Sequence, residues 1–292
     1  MKQQPTLYWL IPIIAILAIV ISGVGLFPQG GDGSHPFTTV YGDKVELYGQ
    51  GIYRHDSSFV AALFRGTDAI TLFVSVPLLV ISYWLYRRGS LRGTLVMIAM
   101  LINFLYIGVT YTFSVLFNTM FLFYVALFSV SLFATIIAFT TFDVELLARK
   151  VASTAPRRGM AVFMIVAGLG TLMLWLSELI GPLLSGTAPA NLGPYTTMFT
   201  HGFDSAVITP ATVVAGIYLL QRKPLGYLLA APLHILCTLI GVTVIAQTIS
   251  QTLTGFVFPI GVYIGMIGSW VVMGAFAVGL TVRFFRNVSE KD

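Results

Sequence analysis

Charge is the first thing this chain lacks. Asp, Glu, Lys and Arg make up 9% of its 292 residues, against about a quarter in an ordinary soluble domain. A water-covered surface cannot be built from so few. Cysteine is nearly absent as well: the single Cys237 excludes an internal disulfide framework and a multi-cysteine metal site, and it reads as a small core residue. The four histidines form neither H-E-x-x-H nor H-x-x-x-H, the local signatures of a zinc or iron centre. No G-x-S-x-G frames a serine nucleophile and no P-loop follows a strand. The expectation is therefore no metal and no cofactor, no nucleotide-driven activity and no assigned enzyme class.

What the chain has in abundance is apolar sequence. Hydrophobic residues make up 57% and the mean hydropathy is +0.90. The apolar runs reach the ~20 residues that a helix needs to cross a hydrocarbon core. They fall at 7–27, 58–86, 93–116, 119–141, 160–183, 198–220, 225–250 and 255–282, and none alternates with period two as a transmembrane strand would. The fold class expected is all-α, a polytopic membrane protein of eight spans. The first run, LYWLIPIIAILAIVISGVGLF, is long for a signal peptide, and no A-x-A-like site follows it, so it reads as an uncleaved helix.

Basic residues resist translocation and so mark the inner loops. With the N-terminus inside, Lys2, Arg87, Arg88, Arg92, Arg149, Lys150, Arg157, Arg158, Arg222, Lys223, Arg283, Arg286 and Lys291 all lie on the inner side. Only Lys44, Arg54 and Arg65 lie toward the outer one. This predicts a cell (inner or plasma) membrane protein with both termini cytoplasmic. Topology accounts for the +5 net charge, so no nucleic-acid partner is implied. The partners expected are the bilayer, a small-molecule or lipid ligand, and a second copy or another membrane protein. Aromatic residues near helix ends, Tyr8, Trp9, Tyr83, Trp84 and Tyr86 among them, read as interface anchors.

An internal repeat is also legible. GTLVMIAMLINFLYIGVT at 93–110 aligns with GYLLAAPLHILCTLIGVT at 226–243, at a constant offset and with the same IGVT ending. Each follows a basic turn. Before each turn an apolar run opens on a short polar motif, RGTD at 65–68 or HGFD at 201–204, with Pro77 or Pro210 further along. This predicts two tandem four-helix units, 1–142 with an outer loop at 28–57 and 159–292 with an outer loop at 184–200. A cytoplasmic linker, 143–158, joins them. Four spans per unit is an even number, so both units enter the membrane in the same direction, the parallel-repeat arrangement.

The candidate site sits at the outer ends of the repeated helices. Asp68 with Arg65, and Asp204 with His201, stand three residues apart and so share a helix face. The glycine inside each motif would let a neighbouring helix approach closely. Arg54, His55 and Asp56 reach the outer start of the second helix, and Glu178 lies one or two turns below the outer end of the fifth. Asp68, Asp204, Arg65, His201, Glu178, His55, Asp56 and the mid-membrane His234, with Asn103 as its candidate polar partner, form the expected ligand-binding set. In the first outer loop, FTTVYGDKVELYG reads as a β-hairpin turning at Gly42-Asp43, a lid that must pack on something. In the eighth run the G-x-x-x-G at 261–265 reads as a dimer or intrachain packing face.

Three functions fit these residues. The leading one is binding or translocation of a small solute or lipid through a crevice open to the outer face. The others are an outer-leaflet lipid-modifying enzyme, with His55 or His201 as base or ligand, and an accessory or assembly protein with no ligand of its own.

Overall fold

A computed structural model of the chain describes residues 3–27 and 30–290. Lys2 and Lys291 lie outside the described residues. Among the described residues, eight helices are long and apolar enough to cross a membrane, as the hydropathy pattern requires. They are built from α1 (Leu7–Leu26), α2 (Ser58–Ile70) running into α3 (Val76–Arg87), α4 (Leu91–Ser114), α5 (Phe121–Thr141), α7 (Arg157–Ser185), α8 (Phe199–Phe203) running into α9 (Thr209–Leu220), α10 (Pro224–Leu253), and α11 (Ile260–Tyr263) running into α12 (Ser269–Arg286). A short α6 (Val144–Lys150) lies in the link between α5 and α7. The last span begins at Ile260 and runs to Arg286, later at both ends than the hydropathy run. Pro259 holds an extended conformation just before it, and the basic last turn with Arg283 and Arg286 remains helical.

The segments 3–4 and 287–290 and the basic turns gather at one end of the bundle. Gln3 donates to the Tyr86 and Arg87 carbonyls, and Arg157 donates to Tyr227. The hairpin and the two long loops gather at the other. That division of basic residues is the one expected from topology.

Two helices form the centre. The most apolar window of α4 is 72% buried and that of α10 is 50% buried, while no other span exceeds a third. They pack on each other, and each also takes a helix from elsewhere in the chain: α2 lies on α10 and α8 on α4.

Three spans are interrupted by one wide π turn, at 71–75, 204–208 and 264–268. The first two have a common cause in the sequence. Pro77 and Pro210 stand two residues past each wide turn, lack an N–H, and would press their rings on the carbonyls of Phe73 and Ala206 in an α-helix. Widening the turn relieves that clash: Val76 N–H donates to Thr71, and Thr209 N–H to Asp204. The third wide turn has glycines, Gly265 and Gly268, in place of a following proline.

The wide turns correct the alignment of the polar motifs. Wide turn, proline helix and central helix occur twice in the same order, beginning 133 residues apart at 71 and 204, 76 and 209, and 91 and 224. That offset pairs Asp68 with His201 and Thr71 with Asp204, so RGTD and HGFD are not equivalent in register. Gly66 behaves as the motif predicted: a Cβ there would lie 2.6 Å from the Gln247 Cα of α10. Gly202 does not, having nothing within 4 Å among the described residues, and the same holds for Gly261 and Gly265.

The hairpin forms from β1 (His35–Thr38) and β2 (Lys44–Leu47), antiparallel, with Phe37 opposite Val45. Thr39 closes the loop, its hydroxyl accepting from the Tyr41 and Asp43 amides, and Gly42 takes φ 88°. The expected packing is confined to its base. All four residues of β1 are exposed, while Leu47 bridges to Ser57 and Tyr48 N–H donates to the Asp56 carbonyl.

Candidate functional site

Asp68 lies on α2 roughly 15 Å along the axis from Ser58, and it is fully buried. Both oxygens are held by phenols. Tyr111 of α4 donates to Oδ1 at 2.8 Å, and Tyr53, from the 3-10 turn Gly51–Tyr53, donates to Oδ2 at 2.7 Å. Tyr53 stacks on Phe64, whose ring meets Tyr111, which in turn meets Tyr124. An aromatic plug therefore closes the carboxylate off. Gly25 of α1 supplies the remaining room, since a Cβ there would lie 2.0 Å from Asp68 Oδ2.

Arg65 shares the motif but not the partner. Its guanidinium donates to the Tyr48 hydroxyl and to the Leu26 carbonyl, and among the described residues it makes no ion pair with Asp68. Arg65, Tyr48 and Tyr53 line a recess of about 10 Å³, room for about one water.

Asp204 is the first residue of the second wide turn. Tyr106 of α4 donates to Oδ1 at 3.1 Å and Trp175 of α7 to Oδ2 at 3.2 Å. Trp175 also lies against the His201 ring, with centroids 4.0 Å apart, and His201 Nε2 meets Glu178 Oε2 at 3.0 Å. Asp204, His201 and Glu178 thus form one connected group with Trp175 at its centre. It is more open than the first: Asp204 is 7% exposed and the Glu178 side chain 37%. As on α2, the nearest donors to the intramembrane carboxylate are neutral.

The other sequence candidates fall elsewhere. His55 is exposed. Asp56 is fully buried and ties three segments together, accepting at Oδ1 from the Leu116 N–H at 3.1 Å and the Tyr195 hydroxyl at 3.0 Å. Its Oδ2 has no partner. Burial raises the Asp56 carboxyl to about 7, against the lowering pull of Leu116 and Tyr195. His234 is buried against Phe163, with Nδ1 on the Ala230 carbonyl at 2.9 Å and Nε2 unpartnered. Asn103, its expected partner, donates instead to the Ser75 hydroxyl, and the histidine's one hydrogen bond is to a carbonyl one turn back on its own helix. Among the described residues no three His, Cys, Asp or Glu side chains group as metal ligands do.

Tyr53, Tyr106, Tyr111 and Trp175 were missed by the sequence reading, which took aromatics for interface anchors or packing. One signal was available for Trp175: it stands three residues before Glu178, on the same helix face.

No family model, curated protein or solved structure matches the chain.

Proposed function

We propose that this integral membrane protein binds or translocates a small solute through a crevice at the hairpin end, centred on Asp204 with Trp175, His201, Glu178 and Tyr106. One observation carries the reading. Asp68 and Asp204 both lie within spans, each is satisfied by neutral O–H or N–H donors, and neither makes an ion pair among the described residues. A carboxylate inside a membrane is costly unless its charge is cancelled. A proton or a cationic group on the solute would do so, and the aromatic faces of Trp175 and Tyr106 suit a cation.

Asp68 is the more enclosed of the two carboxylates, sealed by Tyr53 and Tyr111, and Asp204 the less enclosed, although the two do not occupy equivalent positions. The reading takes the chain as two tandem four-helix units with parallel entry. In its favour are the common 133-residue offset of wide turn, proline helix and central helix, and the reciprocal packing of α2 on α10 and α8 on α4. The basic end then faces the cytoplasm.

The test is uptake into proteoliposomes of choline, alanine and lactate, as cationic, zwitterionic and anionic probes. Wild type should accumulate the probe it accepts, and D204N and D68N should lose that uptake while keeping their melting profiles. Unchanged binding and uptake in both folded variants would sink the proposal.

A further inference from the structure

The basic end carries a second feature, remote from both aspartates. A recess of about 610 Å³ is walled by Arg92 at the start of α4, Arg149 and Lys150 at the end of α6, Arg286 at the end of α12, and the segment 287–290 that follows. Topology requires basic residues in each inner segment. It does not require four of them, from three elements far apart in sequence, to line one recess.

The segment 287–290 is fixed in that recess. Ala152 N–H donates to the Asn287 carbonyl and Ser289 N–H to the Lys150 carbonyl, Val151 bridges to Val288, and Arg92 donates through Nε and Nη2 to the Val288 carbonyl. Glu290 then lies on the N-terminus of α4. The Ser90 hydroxyl and the Arg92 N–H donate to its Oε1 and the Leu91 N–H to its Oε2, each at 2.9 Å. Although partial burial acts the other way, these N–H groups hold the Glu290 carboxyl below its usual value. The shell is two backbone N–H groups and a hydroxyl at the positive end of a long helix, with guanidinium groups around it. That is also how proteins hold phosphate. A carboxylate fills only part of such a shell, since a phosphate group offers more charge and more acceptor oxygens.

We propose that this recess is a binding site for a phosphate group, carried by an anionic lipid headgroup of the leaflet at the basic end, and that Glu290 is its built-in competitor. The recess is of headgroup size and opens at the end of the bundle where helix termini meet the bilayer surface. Arg149 and Arg286, both exposed, are the groups placed to meet the phosphate, and Glu290 sets how tightly it is held.

The experiment uses the full chain in nanodiscs of phosphatidylcholine with a minor fraction of phosphatidylglycerol, counting retained lipids by native mass spectrometry. Wild type should retain phosphatidylglycerol over phosphatidylcholine. R149Q/R286Q should lower that retention about tenfold with its melting profile in pure phosphatidylcholine unchanged, and E290Q should raise retention several-fold while melting slightly lower than wild type, because it weakens the cap on α4. R222Q/K223Q removes the same charge from the same end but away from the recess, and should retain lipid as wild type does. Displacement of the lipid by millimolar inorganic phosphate would leave the phosphate site standing and assign it to the free anion. Equal losses in R222Q/K223Q and R149Q/R286Q, or no preference for phosphatidylglycerol in wild type, would overturn the proposal.

Discussion

Tyr106 and Tyr111 stand five residues apart on α4, and each donates its phenol to a different intramembrane aspartate, Asp204 and Asp68 respectively. Five residues of α-helix turn through about 140° and rise about 7.5 Å. The two carboxylates therefore lie on different sides of one central helix and do not face each other across an open space. Whatever one carboxylate does to the other passes through α4, the most buried of the spans.

The first prediction follows from this unequal enclosure. Y111F strands Oδ1 of a fully buried carboxylate, which costs roughly 1–3 kcal/mol. Y106F leaves Asp204 with Trp175 and some exposure, and should cost less than half as much. Unfolding midpoints of the two variants in one detergent decide the matter, and equal losses would show that Asp68 is not the closed member of the pair.

Glycine positions offer a sharper contrast. G25A puts a methyl group 2.0 Å from Asp68 Oδ2, where the carboxylate is already pinned by two phenols. Overpacking of this kind costs about 1–3 kcal/mol. G202A meets nothing within 4 Å and should be close to neutral. The yield of monodisperse protein and its melting temperature should fall for G25A alone. A stable G25A would mean that Asp68 has another place to go.

Eight spans, their order and the hairpin were legible because hydropathy and turn chemistry are local signals, readable without knowing what packs on what. The 133-residue spacing between the two wide turns was legible for the same reason, since IGVT and the prolines recur at that distance along the chain. The site was legible only as a set of charged residues. Asp68 and Asp204 stood out because carboxylates are rare here, but what satisfies them was hidden: a tyrosine within a span looks like any other large apolar side chain until a neighbouring helix is placed beside it. The register of RGTD against HGFD failed for a related reason. A four-residue motif carries less positional information than a proline that forces the turn before it to widen. Arg65 could not be separated from Asp68 by spacing alone, because its long side chain reaches the Leu26 carbonyl and Tyr48 instead.

The last prediction concerns pH and Asp56. Its carboxyl is raised by burial from 3.8 to about 7, so between those values the folded protein holds a proton that the unfolded chain releases. The stabilising effect of that proton is present in full below about pH 4 and is lost as pH rises through about 7. At most it amounts to about 4 kcal/mol, from a shift of about three units. The groups around Asp56 are the Leu116 N–H and the Tyr195 hydroxyl, with Tyr124 nearby and the adjacent Arg54 and His55 exposed. None of them is a cation bonded to the carboxylate, and Oδ2 has no partner. The melting temperature of wild type should therefore fall between pH 5 and pH 8, and proteolysis in the 186–198 loop that carries Tyr195 should become faster. In D56N the side-chain carbonyl can still accept from Leu116 and Tyr195 but carries no charge, so its profile should be flatter and the loop equally protected at both pH values. A wild-type profile that is flat, or one that D56N reproduces, would place the pH response elsewhere and leave Asp56 as a plain tie between the two long loops at the hairpin end.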